Sequence, residues 1–97
     1  YWGNTEEQAR SVFSKIEASL IAKGFTMGDI VKLTVFLVGD PNTSGRMDFQ
    51  GFMSAYTDYF GAHTNGLLPA RSVVEVAGLV FPGMFVEIEI MASHSEK

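Results

Sequence analysis

Residues 29–38, DIVKLTVFLV, decide how this chain is read. The stretch is strand-length and rich in β-branched side chains, which suit a pleated surface better than a helix. Alternation puts Val31, Leu33, Val35 and Leu37 on one face and Lys32, Thr34, Phe36 and Val38 on the other. The next residues, GDPNTSGRM, collect Gly, Pro, Asn and Ser and read as a loop. Asp48 then caps a second helix, with Phe49, Phe52, Met53, Tyr56 and Phe60 as its apolar stripe and Gly61 at its end. After AHTNGLLPA, in which Pro69 favours extended backbone, a second strand runs from Arg71 to about Val76. The segment from Ile30 to Val76 is therefore expected to be a right-handed crossover joining two parallel strands.

Working outward, NTEEQARSVFSKIEASLIAKG reads as a first helix. Thr5 and Gln8 have capping-box spacing, Ala9, Val12, Phe13, Ile16 and Leu20 form a stripe, and Gly24 is a stop signal. At the other end FVEIEIMA alternates cleanly, with Val86, Ile88 and Ile90 opposite Glu87, Glu89 and Met91. Two helices must cover one apolar sheet face. The other face is expected to carry Lys32, Arg71, Glu75, Glu87 and Glu89 together with Phe36, Val38, Val73 and Met91, and Ser72 is expected on the helix side. Large apolar groups mixed with charges suit a surface buried between subunits, so a homo-oligomer is expected.

Ninety-seven residues, 46% of them apolar, form a single domain spanning 1–97. A net charge of −4 without a basic cluster argues against a nucleic-acid partner. There is no cysteine, hence no disulfide, thiolate metal site or thiol nucleophile, and apolar runs of strand length argue against a membrane partner. The chain starts at Tyr1 and its first helix follows no strand, so it reads as though it begins inside its fold.

Few side chains offer chemistry. Arg71 heads an otherwise apolar strand; such an arginine is most often merely solvated, but its planar donor fork also suits a carboxylate. Glu87 and Glu89 read as a solvated stripe unless their face meets another subunit. Burial would raise a glutamate's pKa and a nearby arginine lower it, which leaves protonation open. His63 and His94 are not spaced as metal ligands, so no metal is expected, and Ser72 has no histidine partner at a readable spacing.

Five segments in order, GNTEEQAR, GDIVKLTVFL, DFQGFMSAYTDYF, LPARSVVEVAGL and VEIEIMA, resemble the RidA family of reactive intermediate deaminases, also called YjgF proteins. The resemblance runs from Gly3 to about Ala92. It implies an α+β, chorismate-mutase-like fold: a mixed β-sheet with two helices packed on one face, assembled as a homotrimer with clefts between subunits. It implies N-terminal strands that this chain lacks, lying beside the last strand. The strand at Ile30–Val38 would sit between the other two, making GLVFPGM a crossing loop.

The activity implied is hydrolysis of imines, the tautomers of enamines such as 2-aminoacrylate, to 2-oxo acids and ammonia, with no cofactor. Arg71 matches the arginine that grips the substrate carboxylate, which reverses its solvated reading. Glu87 matches the glutamate near the attacking water, and Glu89 is structural. Val73 falls where many members have a cysteine whose backbone contacts substrate, and Met53 where many have asparagine. The alternative is a non-catalytic trimeric module that binds small carboxylates or a protein. A ribonuclease reading, also described for the family, fits the acidic balance poorly. The expected location is cytoplasmic, or exported, as in a branch with a similar VGDPNTSGRMDF loop, if a leader precedes the chain.

Overall fold

The computed structural model describes residues 3–61 and 68–93. Helix α1 (Thr5–Ala22) leads into strand β1 (Ile30–Val38), helix α2 (Phe49–Phe60), strand β2 (Ala70–Val76) and strand β3 (Val86–Ala92), with short 3₁₀ turns at Met27–Asp29 and Pro41–Thr43.

The start of α1 departs from the expected box. Asn4 is the cap: its Oδ1 accepts from Glu7 N at 2.8 Å, and Glu7 Oε1 accepts from Asn4 N at 2.9 Å. Thr5 and Gln8 are instead turned inward, at 0% and 6% exposure. Gln8 uses its amide as a clamp. Its Nε2 donates to Gly3 O at 2.9 Å and Gly83 O at 2.8 Å, and its Oε1 accepts from Phe85 N at 2.7 Å. This fixes the loop before β3 against the head of α1. Gly24 ends α1 as expected: at φ 84° it lets Phe25 N reach back to Leu20 O at 2.8 Å, closing a Schellman turn.

The sheet order is β2–β1–β3, with β1 parallel to β2 and antiparallel to β3. A helix-containing crossover thus joins the parallel pair β1 and β2, and the loop between β2 and β3 crosses β1. Ala9, Phe13 and Leu20 of α1 and Phe52, Ala55, Tyr56 and Phe60 of α2 pack on Ile30, Leu33, Val35, Leu37 and Val86 of the sheet. Phe13 centres the aromatic part, with ring centroids 5.9 Å from Phe52, 5.4 Å from Tyr59 and 5.6 Å from Phe60.

Two expectations about faces are corrected. The β1–β3 register slips between Ile30 and Lys32, so Ile30 turns into the core and Val31 is left 47% exposed. More consequential is β2. Register partners point to the same face, and Arg71, Val73 and Glu75 pair with Leu33, Val35 and Leu37, the core residues of β1. These three therefore lie on the helix-covered face, and Ser72, Val74 and Val76 lie on the open one. Because β2 is an edge strand, a long polar side chain there can run along the helix layer and still reach water. The open face keeps its mixed character, with Lys32, Thr34, Phe36, Val74, Glu87, Glu89 and Met91.

Candidate active site

Arg71 is the second residue of β2, and α2 crosses above it. Phe49, Met53 and Tyr56 are spaced i, i+4, i+7 and so share one face of that helix. The guanidinium carbon lies 4.7 Å from the Tyr56 ring centroid and 5.8 Å from that of Phe49, and Nη1 donates to Met53 Sδ at 2.7 Å. Cation–ring contacts of this kind contribute about 0.5–2 kcal/mol each, depending on desolvation. Among the described residues no carboxylate pairs with Arg71. Burial pushes the Tyr56 phenol above its ordinary value, and the Arg71 charge pulls it partly back.

The stripe expected to be core is thus divided. Phe52, Tyr56 and Phe60 are buried, Met53 is half-buried, and Phe49 is exposed at the rim. Sequence reasoning missed Tyr56 and Phe49 as neighbours of Arg71. The signal was present in their helical spacing combined with a crossover that lays α2 over β2.

The other candidates fall elsewhere. Val73 is half-buried against the core. Glu75 accepts a hydrogen bond from Met47 N at 2.7 Å, anchoring the loop that enters α2. Glu87 pairs with Phe36 and Glu89 with Thr34, on the open face. Arg71 and Glu87 are therefore on opposite sides of the sheet, on strands separated by β1. Two strand spacings and a three-residue offset put their backbones on the order of 14 Å apart. The fold does not bring them together within one chain. Ser72 is on the open face and exposed. His63 and His94 lie outside the described residues.

Two depressions flank β3. An apolar groove of 340 Å³ between α1 and β3 is lined by Val12, Ile16, Leu20 and Ile90 with Lys15 and Lys23 at its sides. A smaller one of 160 Å³ lies on the open face at Lys32, Thr34 and Glu89. Neither includes Arg71. Among the described residues no His, Asp and Glu side chains gather into a metal-binding cluster, and no helix is long and apolar enough to cross a membrane.

Residues 2–94 match the family described as endoribonuclease L-PSP. A RutC family protein of Pyrococcus horikoshii is 37% identical over 90 residues, covering 93% of this chain and 63% of that protein. The 2-iminobutanoate/2-iminopropanoate deaminase of Escherichia coli K12 is 42% identical over 85 residues, covering 88% of this chain and 60% of that one. The crystal structure of E. coli TdcF with bound serine superposes with a TM-score of 0.78 at 35% identity, covering 96% of this chain and 67% of that one. The chain thus spans less than two thirds of the length of these curated relatives. On its match over residues 2–94 and its shared fold, the chain belongs to the endoribonuclease L-PSP family, the YjgF/RidA family that its five motifs resemble.

Proposed function

We propose that the protein is a hydrolytic deaminase of small 2-imino acids, working as a homotrimer of chorismate-mutase-like architecture with its site between subunits. The observation that carries the reading is Arg71: a guanidinium held in place by ring faces and a thioether, with no carboxylate partner among the described residues. A planar fork in that condition suits the carboxylate of an α-imino acid, which it would bind through two parallel hydrogen bonds. The identity to a relative named 2-iminobutanoate/2-iminopropanoate deaminase points to the same class of substrate.

The chemistry asks little. Water adds to the C=N carbon, and the resulting carbinolamine collapses to a 2-oxo acid and ammonia. Such imines hydrolyse unaided, so fixing the carboxylate, holding a water over the carbon and relaying a proton through a carboxyl group suffice. Glu87 is the proposed relay. Since Glu87 and Arg71 of one chain face opposite ways, the relay is Glu87 of the partner subunit. The backbone at Val73, on the edge strand beside Arg71, is the proposed second substrate contact.

A second reading has its own support: Met53 Sδ already occupies one guanidinium N–H, which suits a binding module that does not turn over. RNA cleavage is less favoured, because a chain of net charge −4 offers little to a phosphate backbone. The test is to release 2-aminoacrylate from serine with a dehydratase and follow pyruvate formation. Acceleration by wild type that is lost in Arg71→Ala supports the deaminase. Equal rates with and without wild-type protein would exclude it.

A further inference from the structure

The arginine that holds the substrate needs its own support, because a long side chain on an edge strand loses much rotamer freedom when it is fixed. We infer that Met53 and Tyr56 are positioning residues that set the angle at which Arg71 presents its guanidinium to a bound carboxylate. This rests on reading Arg71 as the carboxylate anchor.

The geometry assigns each neighbour a part. The Tyr56 ring, at 6% exposure, is itself clamped by stacking on Phe60, with ring centroids 4.7 Å apart. It is therefore a fixed floor, 4.7 Å beneath the guanidinium carbon. A cation over a ring face is free to spin in its plane, and Met53 removes that freedom by taking Nη1 at 2.7 Å. Among the described residues Nε and Nη2 then have no acceptor. These two atoms form one edge of the fork, the right shape for a bidentate carboxylate.

The chemistry of the third partner matters as much as its position. A thioether is a weak acceptor and carries no charge. Met53 orients the guanidinium without neutralising it, whereas a carboxylate at that position would compete with the ligand. An amide, with a neutral carbonyl of similar reach, would do the same work as the sulfur. Side-chain shape and acceptor charge can therefore be separated at one site, because Leu, Gln and Glu all approximate the volume of Met.

The experiment is equilibrium binding of 2-oxobutanoate to the full-length protein by calorimetry, with thermal unfolding of each variant recorded alongside. Arg71→Ala is expected to abolish measurable binding. Met53→Leu, which keeps the volume and loses the acceptor, should raise Kd roughly three- to tenfold. Met53→Gln should stay within about twofold of wild type, and Met53→Glu should raise Kd by more than about tenfold through internal pairing. As a spectroscopic check, saturating 2-oxobutanoate should move the Tyr56 phenolate transition to higher pH in wild type, because the ligand's charge offsets that of Arg71, and should not do so in Arg71→Ala. If Arg71→Ala loses binding while Leu, Gln and Glu at position 53 all bind as wild type, the positioning role is wrong and the anchor stands. If Arg71→Ala itself binds as wild type, the anchor reading fails and takes this inference with it.

Discussion

Arg71 and Glu87 face away from each other across the sheet: Arg71 shares a row with Leu33 and Ile90 beneath the helices, and Glu87 sits beside Phe36 on the open side. No rotamer change within a single chain closes that gap. A cleft containing both must draw them from different copies.

This gives a mixing experiment. On the proposed reading as a trimeric deaminase, the Arg71→Ala and Glu87→Ala proteins are each expected to be inactive. Co-refolded in equal amounts, they should recover about a quarter of wild-type deaminase activity, since one heterologous interface in four pairs an intact arginine with an intact glutamate. No recovery in mixed trimers of verified composition would rule out the inter-subunit site.

Alkaline pH reports on Tyr56. Burial raises its pKa above the ordinary value of 10.0, with Arg71 opposing. The folded value lies above the unfolded one, so this tyrosine's contribution to stability is intact below pH 10 and is lost as pH rises through the folded value. Unfolding free energy should therefore fall on the alkaline limb, and Tyr56→Phe should flatten that limb. Arg71→Gln should move the Tyr56 phenolate transition further up; an unmoved transition would show that the charge is not felt at the ring.

The head of α1 separates two hydroxyl-or-amide positions that look alike in sequence. Asn4→Ala removes the cap and should cost about 1 kcal/mol in urea unfolding. Thr5→Val should be neutral or stabilising, because Thr5 Oγ1 is buried with no hydrogen-bond partner among the described residues.

Gln8→Leu should destabilise by about 2–3 kcal/mol, since it deletes three hydrogen bonds and leaves Phe85 N and two carbonyls without their partner. Faster amide exchange at Phe85 is the local signature. Unchanged exchange would mean that the loop before β3 is held by something other than this clamp.

Glycines 39 and 78 should behave oppositely. A Cβ on Gly39 would overlap the Gly45 carbonyl where the loop after β1 closes, whereas one on Gly78 would meet nothing within 4 Å. Gly39→Ala should cost more than about 1 kcal/mol and Gly78→Ala close to nothing, by chemical denaturation.

Local structure was legible in the order of the amino acids. Helical spacing marked the buried Phe13 and Leu20 of α1 and Phe52, Tyr56 and Phe60 of α2. Alternation marked Leu33, Val35 and Leu37, and the helix between two strands required a parallel pair. The five motifs named the family. Periodicity divides a strand into two sets, but it does not say which set is covered.

For β1 the composition decided, because one set was wholly aliphatic. For β2 both sets were mixed, and the charges of Arg71 and Glu75 argued for the wrong face. Only the tertiary structure resolved it. At the edge of a sheet the helix layer is narrow enough for a guanidinium to lie along Tyr56 and still meet solvent, so a charged residue can occupy the covered face without being buried. The seat of Arg71 was hidden for the same reason: Phe49, Met53 and Tyr56 read as core from spacing alone, and became a cradle only when the crossover set α2 above the edge strand.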